Sequence, residues 1–196
     1  MTEKIIIKAE RLTKQFGHFT ATDHITFEVR EGEIFGFLGA NGAGKTTAMR
    51  MLCGLSQPSD GWATVAGYDV ATQHEQVKQN IGYMSQKFSL YDDLTVEENF
   101  TLFGGIYGMS RKEMKEKTTR LLEELDFASE RKTKVKSLPL GWKQKLAFSL
   151  AIFHEPKIVF LDEPTGGGEP FSLRQFWELM YQAADRSISV FVTTHY

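Results

Sequence analysis

The first third of the chain has the hydrophobic pattern of short strands separated by turns. Residues 25–29 alternate apolar and polar side chains, as a half-exposed antiparallel strand does. Residues 5–9 predict an earlier strand, and the loop between these two strands contains Phe16. Residues 34–38 are instead a continuous apolar run, which is typical of a buried parallel strand. Further short strands are predicted at residues 62–65 and 80–84.

Between residues 90 and 153 the apolar spacing becomes helical. Capping-box patterns at residues 95–98 and 110–113 each predict the start of a helix. A third helix is predicted at about residues 140–153. The apolar face of the second helix consists of Met114, Leu121, Leu122 and Leu125.

The strand pattern returns after this helical segment. Residues 157–163 are an apolar run that ends in two acids, and Pro164 stops it. A last helix is predicted at residues 172–184 and a last strand at residues 188–194. The chain therefore alternates strands and helices, with a helical insertion in the middle.

Composition narrows the kind of protein without identifying it. The chain has 196 residues, of which 41% are hydrophobic and 24% charged, as in ordinary soluble domains. The net charge of −2 provides no basic field that would attract nucleic acid. The single cysteine, Cys53, fits a small core residue in a reducing compartment. Because no run of about 18 apolar residues occurs, we expect a cytoplasmic chain whose membrane role depends on a partner.

Residues 39–47 read Gly-Ala-Asn-Gly-Ala-Gly-Lys-Thr-Thr and match the P-loop pattern between a strand and a helix. A glycine-rich turn with an unrelated lysine is the alternative, but it does not explain the flanking elements. Glycines let successive N–H groups point at a phosphate, while Lys45 reaches the β- and γ-phosphates and Thr46 ligates Mg²⁺. The predicted nucleotide-binding residues here are Gly39, Asn41, Gly42, Ala43, Gly44, Lys45, Thr46 and Thr47.

The two acids that end the later apolar run complete this chemistry. Asp162 is predicted to hold Mg²⁺, through water, as the strand-end acid of P-loop ATPases does. Glu163 is predicted to accept a proton from the attacking water, and general-base catalysis of this kind contributes ~10²–10⁴-fold. The alternative is a solvated strand end without a catalytic role. The expected cofactors are ATP and Mg²⁺.

These motifs predict an α/β fold. It has a P-loop nucleoside triphosphatase core with a mixed sheet, an antiparallel β subdomain at the N-terminal side and a helical insertion. Residues 1–196 would form one domain, with the core at residues 1–89 and 154–196 and the helical subdomain at residues 90–153.

Over nearly its whole length the chain resembles the nucleotide-binding subunit of ATP-binding-cassette (ABC) proteins. The resemblance implies that Gln86 contacts Mg²⁺ or the attacking water and joins the core to the insertion. It implies that His195 contacts the γ-phosphate and that Phe16 stacks on adenine. Each residue has a plainer alternative: a loop glutamine, a structural histidine and a core aromatic. The resemblance further implies that the chain is truncated after His195.

The chain departs from the family at the signature Leu-Ser-Gly-Gly-Gln, which contacts ATP bound by the opposite subunit. The corresponding residues 138–142 read Leu-Pro-Leu-Gly-Trp, so Pro139 removes both the hydroxyl and a backbone N–H. Leu140 replaces a glycine, whereas the Gly141 N–H can still bind the nucleotide. One lost hydrogen bond to a charged group is worth ~1.5–3 kcal/mol, so we expect a weakened site. The altered sequence resembles bacterial ABC-2-type multidrug exporter ATPases.

A second departure follows the acid pair. Residues 166–170 read Gly-Gly-Gly-Glu-Pro where the family usually has Ser-Gly-Leu-Asp-Pro, so Glu169 replaces the aspartate of that loop. This loop carries communication between subunits in the family. The exchange therefore calls that communication into question.

The favoured function is that of an ATPase that powers a membrane exporter. The resemblance implies a second cassette, identical, distinct or fused, and transmembrane permease subunits at the cytoplasmic face of the membrane. One alternative is a soluble ABC ATPase acting on ribosomes or DNA, although the basic arms common in such proteins are not evident. Another is a binding-only cassette, which Pro139 favours and Glu163 opposes. A generic P-loop kinase or GTPase would not explain Gln86, the signature segment and His195 together.

Overall fold

The structure, a computed structural model, describes residues 2–40, 42–165 and 170–194. Its α/β class, with an antiparallel sheet, a parallel sheet and helices, confirms the predicted class. In chain order, the strands are β1 (Ile5–Phe16), β2 (Phe19–Arg30), β3 (Ile34–Leu38), β4 (Asp60–Val65), β5 (Tyr68–Asp69), β6 (Ile81–Met84), β7 (Ile158–Asp162) and β8 (Ser189–Thr194). The α-helices are α1 (Lys45–Leu52), α2 (His74–Asn80), α3 (Val96–Ile106), α4 (Arg111–Glu124), α5 (Leu140–Ile152) and α6 (Pro170–Asp185).

The chain divides into two compact units, which we call the core unit and the helical unit. The core unit contains the described residues within 1–86, 156–164 and 180–196. The helical unit contains residues 87–155 and the described residues within 165–179. Both sheets belong to the core unit.

The antiparallel sheet has the strand order β2-β1-β4-β5. Its long hairpin differs from the two short strands predicted, because β1 and β2 pair from Ile5 to Arg30 with only residues 17 and 18 between them. The pairing contains register shifts, and Arg11 and His24 have φ angles of 50° and 48°. These irregularities break the alternation of polar and apolar side chains. The sequence pattern therefore revealed only part of each strand.

The second sheet has the order β3-β8-β7-β6, and each of its described strand pairs is parallel, so it is not the mixed sheet predicted for the core. Every residue of β7 is buried, as its continuous apolar sequence predicts. Phenylalanine rings of both sheets pack together, with ring centroids 5.3–6.1 Å apart, so the hairpin and the parallel sheet share one core. These rings belong to Phe27, Phe35, Phe37, Phe160 and Phe191.

The helical unit has an apolar core of its own, built by α3, α4 and α5. Thr95 caps α3 by accepting a hydrogen bond from the Glu98 N–H, and the Glu98 carboxylate accepts one from the Thr95 N–H. Ser110 caps α4 through the Glu113 N–H, whereas the Glu113 carboxylate pairs with Lys117. The core residues include Phe100, Leu122, Phe127, Leu146, Leu150 and Phe153.

Candidate nucleotide-binding site

The P-loop connects β3 to α1 and has the backbone geometry that a phosphate cradle needs. Gly42 and Gly44 have φ angles of 82° and 86°, a region that L side chains rarely adopt. At Gly44 a Cβ atom would lie 1.9 Å from the carbonyl oxygen of Ala21 in β2. Gly44 is therefore required both by its conformation and by the close approach of the hairpin.

The N-terminus of α1 is open toward this loop. In the described part of the chain no side chain caps α1, and its first turn contains no acidic residue. The first N–H groups of a helix have no partner within the helix, and they attract anions. The local structure is therefore suited to hold phosphate.

Lys45 is the first residue of α1, and its side chain is only 5% exposed. The ammonium donates hydrogen bonds to the carbonyls of Gly39 and, at 2.9 Å, of Ala40. Its Nζ atom also lies 3.8 Å from Oε1 of Glu163. The P-loop cation and the second acid of the pair therefore face the same space.

Asp162 ends β7 and is 6% exposed. The hydroxyl of Thr46 donates to its carboxylate, with distances of 3.2 Å to Oδ2 and 3.4 Å to Oδ1. The hydroxyl of Thr193 in β8 donates to Oδ1 at 2.8 Å. Two residues that are 116 positions apart, Thr46 and Asp162, thus come into direct contact, as the sequence motifs require.

These side chains suit Mg²⁺ bound together with a nucleotide. Among the described residues, no group of three or more His, Cys, Asp or Glu side chains forms a metal cage. Mg²⁺ commonly uses one or two carboxylates and completes its shell with water and substrate phosphates. One carboxylate and one hydroxyl, from Asp162 and Thr46, fit that mode of binding.

A cavity of about 480 Å³ opens beside these groups. Gln86, which lies two residues beyond the end of β6, and Glu163 both line it. The carboxyl ends of parallel strands meet at one edge of a sheet, which explains why segments so distant in sequence converge there. The complete lining consists of Phe19, Ala21, Gly42, Gly44, Lys45, Thr46, Thr47, Gln86 and Glu163.

Phe19 is a cavity residue that the sequence reasoning missed. It is 64% exposed and pairs across the hairpin with Phe16, which is 55% exposed and does not line this cavity. The ammonium of Lys14 lies 5.3 Å from the centroid of the Phe16 ring. The signal available in the sequence was an aromatic residue on each side of the Gly17-His18 turn.

Gly141 belongs to the helical unit, near the N-terminus of α5. Pro139 is the N-cap of this helix and provides no side-chain hydrogen bond. Gly141 and Trp142 line a separate cavity of about 310 Å³, in which the Trp142 ring packs against Phe127 with centroids 4.8 Å apart. Asn41, His195 and the segment 166–169 lie outside the described residues.

Two groups near Asp162, the buried Cys53 thiol and the half-buried Tyr83 hydroxyl, remain protonated at neutral pH. Burial and, secondarily, the charge of Asp162 raise the pKa of Tyr83 to about 12. The same two causes raise the pKa of the Cys53 thiol well above its ordinary value. Neither group therefore competes with Asp162 as an anionic ligand.

A P-loop after one parallel strand, combined with an acid pair at the end of another, defines a P-loop nucleoside triphosphatase. The chain belongs to the ABC transporter family, whose model matches residues 22–166. Within that family its nucleotide-binding fold is that of an ABC ATPase domain.

Known proteins resemble the chain over nearly its whole length. "Probable multidrug ABC transporter ATP-binding protein YbhF" of Escherichia coli is 47% identical over 97% of this chain and 33% of that protein. "Linearmycin resistance ATP-binding protein LnrL" of Bacillus subtilis is 34% identical over 97% of this chain and 61% of that protein. The solved "Structure of ATP binding subunit of ABC transporter" has a TM-score of 0.83 at 27% identity, covering 97% of this chain and 79% of its own.

The chain thus spans about a third of the length of YbhF and less than two thirds of that of LnrL. None of the helices described by the structure combines the length and the apolar composition needed to cross a lipid bilayer.

Proposed function

We propose that this chain hydrolyses ATP to drive a multidrug exporter of the ABC type. The observation that carries the proposal is the convergence of Lys45, Thr46 and Glu163 on one cavity. Asp162 lies beside this cavity, where its carboxylate accepts a hydrogen bond from the Thr46 hydroxyl. The names of YbhF and LnrL, a probable multidrug transporter subunit and a resistance ATP-binding protein, support the exporter class. The Pro-Leu-Gly-Trp signature is the feature that we connect with this class.

In this proposal the P-loop binds the triphosphate. The glycine turns and the open N-terminus of α1 direct N–H groups at the phosphates, and Lys45 leaves its loop carbonyls to contact the β- and γ-phosphates. Asn41, Ala43 and Thr47 contribute to the same cradle. An aromatic side chain of the β1–β2 hairpin, Phe16 or Phe19, stacks on the base.

The acid pair performs the remaining chemistry. Thr46 and Asp162 would hold Mg²⁺, which would neutralise charge on the phosphates. Glu163 accepts the proton of the attacking water. Gln86 contacts the metal or that water, and His195 contacts the γ-phosphate. The cavity lining by Glu163 and Gln86 supports their two roles.

The proposed partners are a second cassette and a transmembrane permease. Each P-loop would face the Gly141 segment of the other cassette, and closure on ATP would move the permease. Residues 1–89 and 154–196 would act as the nucleotide-binding part and residues 90–153 as the signature subdomain. The chain would then lie at the cytoplasmic face of the membrane, attached through the permease.

Replacement of the proposed base tests the catalytic assignment. Glu163→Gln should retain Mg·ATP binding and lower turnover by ~10²–10⁴-fold, because the amide cannot accept the proton. Binding would be measured by calorimetry and turnover by phosphate release. Glu28→Gln is a matched control, since the exposed Glu28 carboxylate pairs with Lys8 on the hairpin and does not line the cavity.

Two results would contradict this assignment. Hydrolysis by Glu163→Gln at the wild-type rate would exclude Glu163 as the base. ATP binding without turnover in the wild-type protein, also in the presence of its partner cassette, would instead indicate a binding-only cassette. The observation that favours this second function is Pro139 at the N-cap of α5, because proline has neither a hydroxyl nor a backbone N–H to donate to a nucleotide.

A further inference from the structure

Thr193 joins the two acids of the site, although no sequence motif singles it out. It lies in β8 directly opposite Asp162 in the parallel pairing of β7 and β8. Its side chain has no exposed surface. Its position is therefore set by the sheet, and its hydroxyl must find partners inside the protein.

The hydroxyl of Thr193 contacts both acids in a consistent arrangement. It donates to Oδ1 of Asp162 at 2.8 Å and accepts a hydrogen bond from the backbone N–H of Glu163 at 3.0 Å. A hydroxyl has one hydrogen to donate, and an ionised carboxylate can only accept. The hydrogen therefore points at Asp162, which leaves a lone pair for the Glu163 N–H.

At Asp162 the consequence is a fixed carboxylate. Thr193 occupies Oδ1 from the β8 side, and Thr46 approaches closest to Oδ2, at 3.2 Å. The carboxylate is held between a strand and the helix that begins the P-loop. The two hydrogen bonds therefore keep the Asp162 carboxylate in the orientation in which it would bind a metal.

At Glu163 the consequence is a fixed backbone. Glu163 has a φ angle of 44°, in the left-handed region that residues with a side chain rarely adopt. Such a conformation persists only where surrounding contacts hold it. The hydrogen bond from the Glu163 N–H to Thr193 is a contact of this kind. It fixes the backbone at Glu163, the residue whose side chain lines the cavity as the proposed base.

We propose that Thr193 is a positioning residue that orients Asp162 for the metal and Glu163 for the attacking water. The inference rests on the proposed function, because it assigns the two acids the roles given above. Valine has nearly the same shape and suits a strand equally well. Thr193→Val would thus remove the hydroxyl and leave both of its partners in place.

The test compares Thr193→Val with Thr193→Ser, which keeps the hydroxyl. For Thr193→Val we expect kcat to fall about tenfold or more, as for a lost hydrogen bond to a charged group, with KM for ATP changed much less. The Mg²⁺ concentration needed for half-maximal ATP binding should rise by a similar factor. Thr193→Ser should retain most of the wild-type kcat and Mg²⁺ dependence.

Ser189→Ala is the control for loss of a buried hydroxyl from the same strand. Ser189 is fully buried and accepts a hydrogen bond from the Gly32 N–H at 2.8 Å, and it does not line the cavity. Ser189→Ala should lower the free energy of unfolding with little effect on kcat or on Mg²⁺ dependence. A merely structural Thr193 would behave in the same way.

Three outcomes would overturn the inference: wild-type kcat and Mg²⁺ dependence in Thr193→Val, equal impairment of Thr193→Ser, or the pattern of Ser189→Ala. If Thr193→Val does not fold, Thr193→Cys replaces it in the test. The kcat of Thr193→Cys should lie between the wild-type value and complete loss, because a thiol is a weaker hydrogen-bonding group. Absence of turnover in the wild-type protein would contradict the proposed function alone. The Mg²⁺ dependence of ATP binding would still test Thr193 in that case.

Discussion

At the scale of single residues, the site depends on backbone geometry as much as on its charged groups. Gly44 has a left-handed conformation and lies against the hairpin, with no room for a methyl group. Gly32 has a similar φ angle of 79°, but a Cβ atom there would meet nothing within 4 Å. Substitution of Gly32 would therefore test the free-energy cost of the left-handed conformation alone. Substitution of Gly44 would add the cost of a steric clash.

Alanine substitution at these two glycines tests the packing of the P-loop. Gly32→Ala should lower the free energy of unfolding by about 1–2 kcal/mol, the cost of a left-handed conformation. Gly44→Ala adds a clash with the Ala21 carbonyl and should cost about 2–5 kcal/mol. Urea unfolding without nucleotide measures both. An equal decrease in the free energy of unfolding for both variants would show that β2 does not pack closely against the P-loop.

Sequence motifs predict some of the site residues but not all of them. Lys45, Thr46, Asp162 and Glu163 belong to motifs with fixed local spacing, and the structure brings all of them together. Phe19 and Thr193 reach the site only through hairpin pairing and through the register of β7 with β8. Neither residue belongs to a local sequence motif. Their place in the site can therefore be predicted only when the strand pairing is known.

At the scale of elements, local signals were reliable where they involve hydrogen bonds between near neighbours. The predicted starts of α3 and α4 are confirmed at Thr95 and Ser110. The hydrophobic pattern provides no signal for α2, because this helix is polar and Val77 is its one buried residue. An apolar stripe is the main helix signal, and α2 contacts too little core to need one.

The Thr95 cap of α3 should make a measurable contribution to stability. Thr95→Ala removes the acceptor of the Glu98 N–H and should lower the free energy of unfolding by about 1 kcal/mol. Thr95→Ser keeps that acceptor and should stay close to wild type. Chemical denaturation followed by circular dichroism compares the two variants. The cap contributes nothing to stability if both variants unfold at the wild-type midpoint.

At the scale of the whole molecule, the nucleotide site depends on the parallel topology of one sheet. The P-loop follows β3, the acid pair ends β7 and Gln86 follows β6, so all three segments emerge at the same edge of one sheet. Sequence motifs predict this convergence because they imply a P-loop fold. The proposed function requires that the P-loop and the acid pair hold one nucleotide with its metal.

Calorimetric titration with ATP, with and without Mg²⁺, measures whether these two segments share a nucleotide. In the wild-type protein Mg²⁺ should tighten ATP binding, whereas in Asp162→Asn that gain should fall by about tenfold or more, as for loss of a metal-site carboxylate. Binding without Mg²⁺ should remain nearly unchanged, because it depends on the P-loop. An Asp162→Asn protein with the full wild-type Mg²⁺ effect would show that the acid at the end of β7 and the P-loop do not share a nucleotide.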